Sequence, residues 1–347
     1  MRETRNHQCF SLRLLLALFA LMLLALWQAE PSLAKQRQSE KGSASSQKVG
    51  SASSHSSSSS KKKSSSRHSR RKAGPPPVIE GGEGLRLNVK SALLMNLTTG
   101  KVYFTQNPDE RIPPASITKV ITLFLVRDAL AQGRVKADTL IPVSSQATHT
   151  GGSTMSLYKG EKVPLSEIIK GISVVSANNA CVAVAEYMGK GDSGRFVGQM
   201  NAKAKSLGMT RTTFRNPNGL PASGQYSSAR DIAKLSAAYL RKYPESLSIH
   251  SMTSHTYHGA THRNANPLLG RYDGADGLKT GFVCESGFNI TATAKRGDTR
   301  LIAVVMGAQS PIVRAVETER LLDYGFAQAA TDVPKPAGSR RKAKAKP

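Results

Sequence analysis

Two adjacent prolines followed by a long apolar run set the first constraint on this chain. Pro113 and Pro114 hold the backbone extended and cannot sit inside a helix, so a helix can only begin after them. Beyond them Ile117, Val120, Ile121, Phe124, Leu125 and Leu130 recur at helical spacing and predict one broad apolar face. Ser116 and Lys119 stand three residues apart at the start of that helix, on a shared face. A serine hydroxyl is a poor nucleophile until a base takes its proton. A lysine amine is such a base only when desolvation or a second cation lowers its pKa. The helix N-terminus adds a positive field where a negative oxygen would develop. On its own, so short a pattern reads more readily as an N-cap serine and a solvated lysine, and the decision rests on the rest of the chain.

The 347 residues are enough for a large core in one two-lobed domain or in two domains. Arg2, Arg5 and Arg13 precede an apolar run from Leu14 to Trp27, and Ser32-Leu33-Ala34 has the small-x-small form of a cleavage site. Residues 1–34 therefore read as a secretory signal, with Lys35 as the mature start. The run is short for a membrane-spanning helix, and an uncleaved anchor is the alternative. Residues 35–84 are a Ser-, Lys- and Arg-rich linker, including Ser56 to Ser60 and Lys61-Lys62-Lys63, with too little apolar surface to fold. The tail, residues 330–347, ends in Arg340-Arg341-Lys342-Ala343-Lys344-Ala345-Lys346. With a net charge of +26 and a pI near 10.2, the surroundings or partners are expected to be anionic. The linker is either a weak, salt-sensitive tether to an anionic envelope polymer or membrane, or a plain solvated spacer. Aromatics are 5% of the chain and do not interleave with its basic stretches, which speaks against nucleic acid as a partner.

The folded part is expected at residues 85–329. Ser91 to Asn96 and Lys101 to Phe104 flank Thr98-Thr99-Gly100 as a hairpin. From Gly133 to His258 the pattern is mostly helical with long loops. It includes a short helix capped by Ser166, a helix after Asn178-Asn179, a helix from Phe196 to Leu207, and a helix capped by Ser227 or Ser228. Three strands follow at meander spacing, Gly277 to Phe282, Phe288 to Ala294 and Leu301 to Met306, and then a helix from Ile312 to Phe326. Strands at both ends with helices between predict an α/β (α+β) fold: one antiparallel sheet flanked by helices, with an inserted helical lobe.

Three short motifs occur in one order: Ser116-x-x-Lys119, Ser176-Ala177-Asn178 and Lys279-Thr280-Gly281. Each is weak alone, but together they match the set of the penicillin-binding proteins and class A β-lactamases. The chain most resembles the low-molecular-weight penicillin-binding proteins that are serine-type D-alanyl-D-alanine carboxypeptidases. The resemblance spans about Leu85 to Ala329 and extends to Asn218-Gly219-Leu220, to Gln225 through Asp231 and to Glu319 through Phe326. It implies the transpeptidase fold of that family and an acyl-enzyme on Ser116, with Lys119 as the base. Ser176 would relay a proton to the leaving D-alanine, and Asn178 would hold the substrate amide and orient Lys119. Lys279 would supply a second cation that keeps Lys119 neutral, and Thr280 and Arg314 would bind the substrate carboxylate. The backbone N–H groups of Ser116 and Phe282, the latter following Gly281, would form the oxyanion hole. Family members often carry histidine at position 282, so subsite polarity and pH dependence are expected to differ here.

The resemblance also implies peptidoglycan stem peptides as substrate, β-lactam antibiotics as covalent inhibitors, no cofactor and no metal, and export to the periplasm or cell envelope. A D,D-endopeptidase or a β-lactamase on the same fold are the alternatives, and an envelope-binding protein without activity would not need the nucleophile and its base. No Glu follows the SxN motif where a deacylating base would stand, and the segment from Asn216 to Asp231 offers only Asp231. Many members continue into a β-rich C-terminal domain and a membrane-binding helix. This chain stops soon after Phe326, which leaves the basic arms as the expected means of positioning. Cys181 and Cys284 either pair or remain as one buried and one exposed thiol. His255, His258 and His262 lack zinc-ligand spacing and read as strand or surface histidines.

Overall fold

The computed structural model describes residues 79–80 and 84–332. The expected leader, most of the basic linker and most of the expected tail lie outside them, although the last helix runs to Asp332, past the expected boundary at residue 329. The chain divides into two units, and the second, Pro76–Pro347, holds every described element.

The strands are β1 (Ile79–Glu80), β2 (Ser91–Asn96), β3 (Val102–Gln106), β4 (Leu140–Pro142), β5 (Lys162–Pro164), β6 (Ser254–Tyr257), β7 (Ala260–Arg263), β8 (Ala275–Val283), β9 (Gly287–Arg296) and β10 (Thr299–Ala308). Six of them form one sheet in the order β1-β3-β2-β10-β9-β8, antiparallel throughout. The N-terminal hairpin and the C-terminal meander thus meet at the β2–β10 ladder, where Leu93 faces Val304 and Met95 faces Ile302. Strand β1 lies within the stretch expected to be linker. Its two residues pair with Gln106 and Thr105, so folded structure begins earlier than residue 85.

The run Leu301-Ile302-Ala303-Val304-Val305-Met306 is apolar at every position because β10 is covered on both faces. Leu301, Ala303 and Val305 belong to one core cluster, and Ile302, Val304 and Met306 to the other. This is the period of two that a strand imposes on its side chains. Each such buried aliphatic side chain contributes about 1.5–3 kcal/mol of transfer free energy.

The helices are α1 (Lys119–Ala131), α2 (Ser145–Thr148), α3 (Leu165–Lys170), α4 (Asn178–Met188), α5 (Ser193–Ser206), α6 (Ala229–Lys242), α7 (Leu247–His250) and α8 (Pro311–Asp332). Helix α8 contributes Leu321 and Leu322 to the core on one face of the sheet. On the other face α1 and α6 join the core of the helical lobe. Helix α1 is not the one-faced helix that the spacing predicts. Lys119 through Val126 are all buried, as expected of a helix in the middle of a lobe.

Two further expectations need correction. Ser166 does not cap α3: β5 runs directly into the helix, and Pro164 takes the N-cap position. The stretch from Gly133 to His258 also contains strand, since β4 and β5 pair across it. Of the two candidate caps of α6, the structure selects Ser228, whose hydroxyl accepts from the Asp231 N–H. Among the described residues no helix is long and apolar enough to cross a membrane.

Candidate active site

Three segments converge where the sheet edge meets the helical lobe. The first is a 3-10 turn, Ala115–Thr118, that leads into α1. Its entry is constrained: Ala115 has φ +51°, and Pro114 occupies the N-cap position. Ser116 is half-buried at the mouth of this turn, and Lys119 is fully buried as the first residue of α1.

The second is a π-helical turn, Gly171–Val175, that continues α3 and ends at Ser176 in the left-handed conformation (φ +63°, ψ +32°). A left-handed non-glycine residue costs on the order of 1 kcal/mol and concentrates at functional sites. The chain reverses there and starts α4, which presents Asn178. The Asn178 amide is pinned from both ends. Its Oδ1 accepts from Lys119 Nζ at 2.7 Å, and its Nδ2 donates to the Gly151 carbonyl at 2.8 Å.

The third is β8, the edge strand on this side of the sheet, which packs against the 3-10 turn. Gly281 is required by that approach. A Cβ there would lie 2.9 Å from Ser116 N, 3.0 Å from the Ala115 Cβ and 3.1 Å from the Pro114 carbonyl oxygen. The backbone of residues 281 and 282 can therefore come close to the nucleophile turn, as a pair of main-chain oxyanion donors needs.

Lys119 Nζ lies 2.8 Å from Ser116 Oγ and donates to the Asn218 carbonyl at 2.6 Å. Burial lowers its pKa from 10.5 to about 8. Of the two causes expected from the sequence, desolvation is the one that carries the shift. Lys279 is itself buried, donates to the Thr280 carbonyl at 3.1 Å, and is pushed well below its ordinary value by desolvation, then by the Lys119 and Arg314 charges. Arg314, in the first turns of α8, is 7% exposed and has no hydrogen-bond partner at Nε. Burial pushes its pKa down to about 10. Lys119, Lys279 and Arg314 are thus three buried basic side chains, with Lys279 feeling the charges of the other two and no carboxylate among the causes of their shifts.

Of the sequence candidates, Ser116, Lys119 and Asn178 are joined by direct hydrogen bonds. Ser176, 6% exposed, ends the π turn two residues before Asn178, and Thr280, also 6% exposed, follows Lys279 on β8. Among the described residues the Ser176 hydroxyl is not a hydrogen-bond partner of either amine. Phe282 is 49% exposed at the rim, with its ring stacked on Phe288.

Other contributors were not singled out in the sequence. The Asn218 carbonyl is a main-chain acceptor, which leaves no residue-type signal. Asn289 on β9 donates to the Pro113 carbonyl at 3.0 Å and accepts from the Gly307 N–H at 2.8 Å, tying the sheet to the segment before the nucleophile. His250 is buried near Lys279. Desolvation first, then the Lys279 and Arg127 charges, push its pKa to about 3, which makes it a neutral wall. Cys181 is a free thiol in the buried face of α4, pushed up to about 11 by burial. It therefore does not pair with Cys284. His255 lies 3.3 Å from Glu167, and His258 is 2.6 Å from Glu161. Among the described residues no group of three or more His, Cys, Asp or Glu side chains is placed to hold a metal ion.

Comparison with known proteins bears on the same residues. The profile of peptidase family S11, described as D-alanyl-D-alanine carboxypeptidase, matches residues 80–310. D-alanyl-D-alanine carboxypeptidase DacF of Bacillus subtilis is 42% identical over 248 residues, covering 70% of this chain and 63% of that protein. The crystal structure of penicillin binding protein 5 from Haemophilus influenzae superposes with a TM-score of 0.68 at 35% identity, covering 71% of this chain and 73% of that one. Penicillin-binding protein D2 from Listeria monocytogenes in its ampicillin-bound form superposes with a TM-score of 0.64 at 30% identity, covering 70% and 98%. The chain spans less than two thirds of the length of curated relatives such as DacF of Bacillus subtilis. The fold is that of the penicillin-binding D,D-peptidases, and with most of the described residues inside the matched span, the chain belongs to the S11 family of D-alanyl-D-alanine carboxypeptidases.

Proposed function

We propose that this protein is a serine D-alanyl-D-alanine carboxypeptidase that removes the terminal D-alanine from peptidoglycan stem pentapeptides. The observation that carries this reading is the contact of a buried, low-pKa amine with a serine hydroxyl: Lys119 Nζ to Ser116 Oγ, 2.8 Å. Family membership sets the substrate class.

The terminal carboxylate enters the cationic side of the cleft, against Lys279, Thr280 and Arg314. Its negative charge offsets the repulsion between the buried cations there, so Lys279 holds its proton with substrate bound. Ser116 Oγ attacks the carbonyl of the D-Ala-D-Ala bond while Lys119 takes the hydroxyl proton. The oxyanion is held by the N–H groups of Ser116 and Phe282. Asn178 holds the substrate amide and the amine together. Ser176 relays to the departing D-alanine nitrogen the proton that Lys119 took, and collapse of the tetrahedral adduct leaves an ester on Ser116 and a neutral Lys119. Water then hydrolyses the ester, releasing the tetrapeptide and restoring the hydroxyl.

β-Lactams acylate Ser116 because their strained amide resembles the same dipeptide. The ampicillin-bound relative supports this. The export signal and the basic arms lie outside the described residues, and for them the reading rests on composition: an exported envelope protein drawn to an anionic polymer or membrane by its charge of +26. Retention on isolated envelopes after a high-salt wash would count against that attachment.

Mass spectrometry of the purified protein with a stem pentapeptide and with a cross-linked dimer tests the reaction. D-Alanine release from the first, with the second intact, is expected, and Ser116→Ala abolishes it. Cleavage of the dimer instead would identify an endopeptidase.

A further inference from the structure

One aromatic side chain joins two parts of the site that lie on different elements. Phe288 in β9 is the cross-strand partner of Phe282 in β8, and their rings stack with centroids 4.3 Å apart and planes at 29°. On its other side in the sheet Phe288 pairs with Ala308, the last residue of β10, just before α8 begins at Pro311. From α8 the Arg314 guanidinium carbon lies 5.9 Å from the Phe288 ring centroid. Arg314 has no hydrogen-bond partner at Nε, and no acidic residue contributes to its electrostatics. The ring faces are therefore the fixed feature beside this buried cation.

We propose that Phe288 is a positioning residue: through its ring it sets the Arg314 guanidinium, and the row Phe282–Phe288–Arg314 selects substrates that end in a free carboxylate. The proposal rests on the carboxypeptidase reading above. A ring face attracts a guanidinium and favours one approach of its plane, which leaves the fork free to take a carboxylate from the cleft. Phe282 supplies both the far end of the stack and a main-chain N–H next to Gly281. One cross-strand pair thus fixes the distance between the anchored carboxylate and the attacked carbonyl. Placement of this kind governs how often a bound substrate is in an attacking pose.

The test compares two peptides, one ending in D-Ala-D-Ala with a free carboxylate and one ending in the D-alanine amide, with product release followed by mass spectrometry. Wild type favours the free acid. Phe288→Leu lowers kcat/KM for the acid about tenfold, with kcat falling as well as KM rising, and leaves kcat/KM for the amide where it was. Phe288→Tyr, which keeps an aromatic face, retains the acid preference. Phe282→Leu, at an exposed position that does not threaten the core, weakens the preference by about threefold. It also decides the matter if Phe288→Leu fails to fold. An unchanged acid-to-amide ratio in the folded variants, or an equal loss on both peptides, overturns the inference while leaving the carboxypeptidase reading intact. Absence of any D-alanine release by wild type overturns that reading, and the inference falls with it.

Discussion

The Lys119 amine and the Ser116 hydroxyl are 2.8 Å apart, and the other two partners of the amine are carbonyl oxygens, of the Asn178 side chain and the Asn218 main chain. This set favours catalysis for a simple reason. A neutral amine has two hydrogens and one lone pair. The two carbonyls accept the two hydrogens, and the lone pair is left facing the hydroxyl. A carboxylate in place of either carbonyl would hold the amine as ammonium and remove the base. The protein instead uses neutral acceptors together with full burial, and the pKa falls from 10.5 to about 8.

The first prediction concerns that choice of acceptors. Acylation of Ser116 by a fluorescent penicillin should rise with pH and level off above about 8, where Lys119 is neutral. Asn178→Asp places a charge where an oxygen now sits 2.7 Å from Nζ. The inflection should move to higher pH, and the rate at pH 7 should fall by about tenfold or more. An inflection unmoved by Asn178→Asp would show that another group controls the step.

The same burial affects stability, with a definite sign. Lys119 has a lower pKa in the folded protein, about 8, than its ordinary 10.5, so between those values the unfolded chain binds more protons and stability rises with pH. Below about pH 8 the full cost of holding the buried charge is present, on the order of 3 kcal/mol. Lys119→Met removes the titration. The stability difference between the variant and wild type, measured by denaturant unfolding, should favour the variant more at pH 7 than at pH 10. A difference independent of pH would mean that the amine is not desolvated as described.

Gly281 provides a third measurement. Its Cβ in Gly281→Ala would meet Ser116 N at 2.9 Å and the Pro114 carbonyl at 3.1 Å, both main-chain atoms that cannot rotate away. The nucleophile turn or β8 must then shift by a few tenths of an ångström. We expect a modest loss of stability, about 1–2 kcal/mol, and a fall of about a hundredfold in acylation rate, because oxyanion donors act only in close register. Circular dichroism melts and penicillin acylation on the same preparation separate the two effects. Full activity in Gly281→Ala would remove Phe282 N–H from the proposed hole.

How much of this was legible in the sequence depends on the kind of signal. The three long strands were readable because Leu301 to Met306, buried on both faces, leaves a continuous apolar run. The cap of α6 was readable to within one residue, because a serine before a helical run marks an N-cap, and the Ser228 hydroxyl accepts from the Asp231 main-chain N–H. The short strands β4 and β5, three residues each, are too short to show a period. The left-handed Ser176 was hidden because its conformation follows from a π turn, and i→i+5 bonding has no residue code. Nor does the Asn218 carbonyl leave a trace, since any residue can offer its main chain. Arg314 was found only through the resemblance. Its burial depends on how α8 returns to the sheet, which the local sequence does not state.

A last prediction separates a carboxypeptidase from a β-lactamase. Asp231, in the first turn of α6, is the only carboxylate from Asn216 to that turn, and its Oδ2 is already committed. Its Oδ2 accepts from the Arg211 N–H at 2.7 Å and from the Thr212 hydroxyl at 2.8 Å, and the side chain is 1% exposed. A carboxylate that braces a loop in this way has no lone pair directed at an acyl-enzyme. Asp231→Ala strands a buried donor, so it should cost about 2–4 kcal/mol in thermal unfolding. At a temperature where both proteins remain folded, the penicilloyl adduct on Ser116 should persist equally long in variant and wild type, followed by intact mass. A wild-type adduct that clears within seconds, and persists in Asp231→Ala, would instead make Asp231 a deacylating base and the protein a β-lactamase.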